Sequence, residues 1–346
     1  MRIGLVARAD GGGLGTISEG FTRNMAPERI LIADRQPRRG PWRPERFGGY
    51  GEVRVEPVGR LGLSAAAIRS FCEGLDVVYG IESWYGPFFE RIAAEAGVKT
   101  ILHAMPEFYA AQLPDALWVP TPWQIGWVPG AEVVPVPVDR ARLTPRIRTE
   151  ARTFLHIASK AGRDRNGTRV MAEALRFVGE ACRLIVVAER GVQIRAPRHV
   201  QLEVRSPHGE WPDIYDEADV LIMTRRYGGL CLPILEATCA GMPAIVSDRL
   251  PDKAFTRLRV PLSGEQTRPF VTWSGQRIPV ASPEPRSLAQ RIDEMVRDPA
   301  RVAEASVVAV ALGELHSWDL WRSDYLRRME ALCSTPTVRS SPTPTT

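Results

Sequence analysis

The chain has 346 residues, 44% hydrophobic and 25% charged, proportions that exclude a mostly disordered chain, a collagen-like chain or a coiled coil and point to two packed domains. Its formal net charge is +5, and only Lys99, Lys160 and Lys253 among 45 basic residues are lysine, so arginine dominates, the side chain whose planar fork of donors matches phosphate and carboxylate. The excess sits in one window: residues 141–170 carry eight basic and two acidic side chains, whereas 1–140 are net −1 and 171–346 are neutral.

Residues 2–7 (RIGLVA) read as a buried strand running into the glycine cluster 11–15, with a helix over 16–25. Strand 29–33 leads into an Arg/Pro/Gly-rich loop at 35–51. Strand 52–57, helix 63–73, strand 76–80, helix 87–96 and strands 98–103 and 116–121 follow. Apolar strands alternating with helices mean parallel βαβ units. The proline-stiffened 133–138 (VVPVPV) reads as a linker or terminal strand, after which the pattern restarts. Strands are expected at 153–158, 183–188, 200–204, 219–223 and 243–246, and helices at 167–178, 211–217, 233–240, 285–297 and 301–314. In 317–332, Trp318, Trp321, Tyr325 and Met329 share one helical stripe, suited to core packing or to docking on the first domain. The tail 334–346 lacks an apolar pattern and is expected to be disordered. No run reaches the roughly 18 apolar residues of a membrane span, and residues 1–13 lack a secretory pattern. Five scattered cysteines without CxxC spacing read as reduced thiols in a cytoplasmic protein, and neither a zinc site nor a disulfide framework is expected.

Two α/β units joined by a short linker place a cleft between them, with ligands expected beyond the carboxyl ends of the strands. Residues 227–248 (YGGLCLPILEATCAGMPAIVSD) are the most informative stretch. A strand ends at Met223, a glycine turn follows, and Pro233 falls where a helix begins, a position that tolerates its missing N–H. A helix N-terminus carries partial positive charge and suits a phosphate or a sugar hydroxyl. Glu236, placed in the first turn, either accepts from a ribose diol or complements the helix dipole.

The string LPILEATCAGMPAIVSD resembles the donor-site signature of the retaining family 4 glycosyltransferases of the GT-B fold, with Pro233, Ala240, Gly241, Pro243 and Asp248 matching beside Glu236. The resemblance implies an α/β GT-B fold, two Rossmann-like domains facing a central cleft, with Glu236 on the nucleotide ribose. The family's second glutamate, eight residues earlier near the donor sugar, is Gly228 here. Sugar contacts then fall to the backbone of Gly228, Gly229 and Leu230, to Tyr227, or to Arg225 and Arg226. The resemblance also places an Arg and a Lys on the donor diphosphate. Lys160, Arg163 and Arg165 in HIASKAGRDRNGTRVMAEAL are the candidates, with Arg165 favoured because DRNG falls where the family has Lys-Gly. The plainer reading of that segment is a solvated basic loop. Arg142, Arg146, Arg148 and Arg152 read as linker surface.

Gly12, Gly13 and Gly15 form either a tight strand-to-helix turn or, by the resemblance, a loop approaching the donor phosphate or acceptor. His103, expected at a cleft-facing strand end, and Glu107 are the catalytic candidates, suited to orienting an acceptor hydroxyl or moving a proton; a lone histidine also reads as structural. Glu82 and Tyr85 are further cleft candidates. No histidine has metal-ligand spacing and no DxD occurs, so no metal and no cofactor are expected. A UDP- or GDP-linked sugar is the expected co-substrate. The loop 35–46 (RQPRRGPWRPER), with five arginines and Trp42, reads as a solvated loop or as a grip on nucleic-acid phosphates and bases. The segments GGGLGTISEGFTRNMAPERILIAD, TPWQIGWVPG and VPVPVD also resemble glycosyltransferases encoded by actinobacterial phages and their hosts, which implies a modified DNA base or a virion protein as acceptor.

The expected organisation is an acceptor domain over 1–137, a linker over 138–150 and a donor domain over 151–312. A helix over 313–333 crosses back to the first domain, and the tail completes the chain. The expected activity is metal-independent transfer of a hexosyl or pentosyl group to a hydroxyl with retention, in the cytoplasm (that of the host if phage-encoded). The alternatives are a catalytically inactive GT-B relic that binds nucleotide sugars or acts as a scaffold, and an epimerase or a pyridoxal-phosphate phosphorylase, the last disfavoured by the three lysines. The acceptor's identity and the oligomeric state are open.

Overall fold

The computed structural model describes residues 1–36, 41–110, 112–158, 164–188, 193–206, 213–263, 269–272 and 275–335. The first half comprises β1 (Ile3–Ala7), α1 (Gly13–Met25), β2 (Arg29–Asp34), β3 (Glu52–Pro57), α2 (Ala65–Cys72), β4 (Val77–Ile81), α3 (Phe89–Glu95), β5 (Lys99–His103), β6 (Ala116–Val119) and β7 (Glu132–Val133). All seven strands are parallel, in the order β3-β2-β1-β4-β5-β6-β7. β1, β4 and β5 are buried along their whole length, as a parallel sheet covered on both faces requires.

The second half comprises β8 (Thr153–Ile157), α4 (Thr168–Ala174), β9 (Cys182–Val187), β10 (Val200–Arg205), α5 (Asp213–Asp216), β11 (Val220–Met223), α6 (Leu232–Cys239), β12 (Ala244–Ser247), β13 (Arg259–Val260), β14 (Phe270–Val271), β15 (Arg277–Ile278), α7 (Pro285–Arg297), α8 (Pro299–Leu315) and α9 (Trp318–Ser334). Its parallel sheet runs β10-β9-β8-β11-β12-β13, and β14-β15 is a small antiparallel hairpin. Chain-order pairing reverses at β1 in one sheet and at β8 in the other, so each has its switch-point crevice at that strand's carboxyl end.

Helix starts follow local chemistry. The Ser64 side chain caps α2 through the Ala67 N–H (3.1 Å), and Asp298 caps α8 through the Arg301 N–H (3.0 Å) ahead of Pro299. α9 returns to the first sheet, where Trp318, Tyr325 and Met329 are buried against Phe21 and Tyr79. Each such side chain contributes about 1.5–3 kcal/mol of burial. The backbone agrees, since Val138 N–H donates to the His316 carbonyl (2.7 Å).

The structure differs from the sequence reading at three places. α1 begins at Gly13 rather than 16, so Gly13 and Gly15 belong to its first turn. The short β13 and the β14-β15 hairpin, two residues per strand, are too brief to leave a periodic signal. The linker arginines are not all surface. Arg148 is buried and donates to the Ala240, Arg146 (2.9 Å) and Tyr215 (2.7 Å) carbonyls, and Arg146 donates to the Asp216 carbonyl (2.6 Å). These cations sit on carbonyls at the carboxyl ends of α5 and α6, where the helix dipole favours them. The segment 336–346 lies outside the described residues. Among the described residues no helix is long and apolar enough to cross a membrane.

Candidate functional site

The two switch points meet across a cavity of about 260 Å³. From the first domain come Arg8 and Asp10 beyond β1, the glycines 11–13 and 15, Glu19 of α1, and the loop residues Arg43, Arg46 and Phe47. From the second come Ile157 and Ala158 at the end of β8, Val187 and Ala188 at the end of β9, and Leu232, Pro233 and Glu236 of α6. α1 and α6 both present their N-termini here. Neither has a side-chain cap or an acid in its first turn, so two sets of partial positive charges and N–H groups face one space. Gly12, Gly13 and Gly15 thus line the cavity and also make the turn.

Glu236 lines the cavity while 4% exposed. Because α6 starts at Leu232, Glu236 is its fifth residue and stands in the second turn, not the first. The fully buried Tyr215 donates its hydroxyl to Glu236 Oε2 at 2.6 Å, which fixes the carboxylate; burial, then the neighbouring Glu236, pushes the Tyr215 phenol well up and keeps it a donor.

The other donor-loop candidates are placed differently. Tyr227 is buried and stacks on Phe270 (4.8 Å between centroids). Gly228 has φ +104°, and a Cβ there would sit 2.5 Å from Arg225 Nη2 and 2.6 Å from Arg165 Nη2, so two guanidiniums fill the space a side chain at 228 would take. Arg249 Nη2 donates to the Gly228 carbonyl (2.9 Å), and Thr121 of the first domain donates to the Gly229 carbonyl (3.3 Å). Leu230 packs against the core of the first sheet, and its carbonyl accepts from Arg165 (3.4 Å). Tyr227, Gly228, Gly229 and Leu230 are absent from the cavity lining.

Arg165 is likewise not on the lining. Its Nη2 lies 3.2 Å from Glu107 Oε1, an ion pair joining the two domains, and the Gly229 N–H donates to the same oxygen at 3.4 Å. Burial, then Arg225, pushes the Arg165 guanidinium down from its ordinary value. Glu107, 1% exposed, is therefore a strut across the interface rather than a group in the cavity. Glu107→Gln is expected to cost about 2 kcal/mol of stability, since it removes a buried hydrogen-bonded charge partner; urea unfolding of the variant beside the parent protein measures it. Lys160 and Arg163 lie outside the described residues.

His103 does not face the cleft. It is fully buried between β4 and β6, with Nδ1 2.7 Å from the Tyr79 hydroxyl and the Trp118 ring edge-on at 6.0 Å. The topology placed it at a strand end, but the aromatic core under α9 closes over that end. Burial pushes His103 down to about 3 and His156, held by Ile222 and Thr168, down to about 4. Unfolded histidine takes up its proton near pH 6.5, whereas these folded rings stay neutral until far lower pH. Stability present above pH 6.5 is therefore lost as pH falls toward 4, by roughly 3 kcal/mol for His156 alone. Urea midpoints should fall in the order pH 7.5, 5.5, 4.5. Tyr85 is buried beneath the Arg8 guanidinium (5.6 Å to its centroid), and Glu82 adopts φ +66° in the turn after β4.

Sequence reasoning passed over Arg8, Glu19 and Tyr215. Arg8 and Asp10 carried a readable signal, charge directly after an apolar strand; Glu19 and Tyr215 carried none, being ordinary residues of helical segments. Among the described residues no group of three or more His, Cys, Asp or Glu side chains is placed to hold a metal.

Two parallel α/β sheets with their switch points sharing one cavity define the GT-B fold. Solved structures agree at low identity. HepE from Anabaena in complex with UDP superposes with TM-score 0.66 at 12% identity over 96% of this chain and 100% of that one. A glycosyltransferase from Rickettsia africae gives 0.68 at 12% over 97% and 99%, and sucrose-phosphate synthase from Thermosynechococcus elongatus 0.64 at 13% over 96% and 99%. No curated protein matches the sequence at significance. Residues 192–254, which run through α6 and Glu236, match the family described as glycosyl transferases group 1. The matched segment lies in the second sheet of this GT-B fold.

Proposed function

We propose that the protein moves a sugar from a nucleotide-sugar donor, UDP- or GDP-linked, to a hydroxyl acceptor with retention of configuration and without a metal. The carrying observation is Glu236, held by Tyr215 on the wall of a cavity that two uncapped helix N-termini also face. The carboxylate suits a ribose diol, Ile157, Ala158, Val187 and Ala188 give a nucleoside an apolar bed, and the helix N-termini suit the diphosphate. HepE, solved with UDP and with UDP-glucose, supports this choice of ligand. As the bond from the anomeric carbon to the phosphate oxygen breaks, the electron pair leaves on the diphosphate, and donors fixed beforehand stabilise that charge. Glu107 acts by positioning the loop 228–230, not as a catalytic group, and His103 takes no part. Phage DNA bases and virion proteins are the acceptor classes the resemblance offers, with the host cytoplasm as the site of action.

One observation favours the inactive relic: Arg165 and Arg225 occupy the space beside Gly228. Calorimetry with UDP, GDP and ADP followed by donor-hydrolysis assays decides. Binding of at least one nucleotide below about 1 mM with turnover of its sugar is expected. Binding without turnover of any sugar supports the relic that binds nucleotide sugars, and no nucleotide binding overturns both the transferase and that relic and leaves the scaffold.

A further inference from the structure

Among the described residues the two cavity walls carry opposite chemistry. On the second-domain side Glu236 is the one charged lining group among the described residues, whereas every lining cation, Arg8, Arg43 and Arg46, comes from the first domain. Arg8 is 7% exposed and paired with Asp10, yet its Nε has no hydrogen-bond partner among the described residues. Arg43 and Arg46 belong to the loop that read either as solvated or as a grip on nucleic-acid phosphates, and its backbone is pinned to the end of β1. Asp10 and Trp42 form an isolated β-bridge, the Arg43 N–H donates to the Ala9 carbonyl (2.9 Å), and the following turn buries Phe47. Negative charge on this wall is oversubscribed. Glu19 alone accepts from Arg23 (2.9 Å), Arg46 (3.2 Å) and Arg142 (3.0 Å). Arg8, Arg43 and Arg46 gathered on one cavity wall, with Arg46 on a carboxylate it shares with two further arginines, form a receptor for a phosphoryl group, which takes forked, charge-assisted bonds.

We propose that Arg43 and Arg46, backed by Arg8, are a phosphate clamp on the first domain. The nucleoside then lies on one domain while its anionic part, or a phosphate on the acceptor, is gripped by the other, so the ligand itself ties the domains together. The clamp rests on the nucleotide-sugar reading for its context and is tested apart from it. Calorimetry with UDP, uridine and inorganic pyrophosphate is run on the parent protein and on Arg43→Ala, Arg46→Ala, the double variant and Arg46→Lys, with melting curves to check folding. Arg43→Ala alone leaves the Glu19 pair intact, which keeps the test valid if Arg46→Ala unfolds. The expected result is a tenfold or greater loss of UDP and pyrophosphate affinity in the double variant, unchanged uridine affinity, and partial recovery in Arg46→Lys relative to Arg46→Ala. Unchanged UDP affinity with loss of pyrophosphate binding to the UDP-saturated protein assigns the clamp to an acceptor phosphate. Parent protein that binds pyrophosphate but no nucleoside keeps the clamp and sinks the nucleotide reading. Variants that bind UDP and pyrophosphate like the parent, or a parent that binds neither, overturn the clamp.

Discussion

Gly15→Ala is expected to destabilise the protein by about 3 kcal/mol or more and to lower its melting temperature by roughly 5 °C. A Cβ at position 15 would overlap the Asp10 carbonyl oxygen. That atom is backbone in the turn leaving β1, so no side-chain rotation relieves the clash. Relief requires α1 to shift away from β1, and α1 carries the Phe21 ring that stacks on Tyr79 at 4.3 Å and the cavity wall from Gly13 to Glu19. Overpacking of this kind costs more than the methyl gains because the neighbours are already at contact. Gly12→Ala is the control from the same glycine run. At φ −94° its added Cβ would meet nothing nearer than Asp10 Oδ1 at 4.0 Å, so its melting temperature should stay within a degree or two. Thermal melts of the two variants, followed by circular dichroism, measure the contrast; equal melting temperatures would show that the α1 turn is not under this restraint.

The same turn shows which parts of the molecule were legible in sequence. The strands IGLVA, TFLHI and VLIM are short apolar runs, and both sheets form where those runs predict. The restart of the pattern after 138 gave the second sheet, and the glycine cluster gave the turn at the first switch point. What local spacing could not supply was the partner across a domain boundary. Arg165 looked free to grip a phosphate, yet it meets Glu107, 58 residues earlier, once the two domains pack. Arg148 looked like linker surface, but buried carbonyls around the end of α6 take its guanidinium. The arginine loop looked either solvated or suited to grip phosphates because nothing in its sequence announces the bridge between Trp42 and Asp10. Within residues 141–170, Arg142, Arg146, Arg148 and Arg165 are engaged by protein groups, while Lys160 and Arg163 lie outside the described residues. His103 failed for a related reason, since topology gives the strand end but not the aromatic layer that α9 folds over it.

Glu236→Ala is expected to weaken UDP binding by about 10–100-fold, with uridine weakened by the same factor. One or two hydrogen bonds from a ribose diol to a buried carboxylate carry about 1.5–3 kcal/mol each, and loss of a single one accounts for that range. Pyrophosphate affinity should be unchanged, because Glu236 stands on the opposite wall from the arginines; this separates the ribose contact from the phosphate contact in one experiment. Glu236→Gln keeps an oxygen for the Tyr215 hydroxyl and so keeps the fold, but it replaces one acceptor with a donor and should lose at least tenfold in affinity. Tyr215→Phe leaves the carboxylate and removes the bond that orients it at 2.6 Å. A loss of a few fold is expected there, smaller than for either change at 236, because the carboxylate remains and pays only for finding its orientation. Calorimetry on the three variants gives the order Glu236→Ala, Glu236→Gln, Tyr215→Phe from weakest to strongest binder. If Glu236→Ala and Glu236→Gln both bound UDP as the parent does, the nucleoside would have to lie elsewhere, and the second-domain wall would lose its assignment.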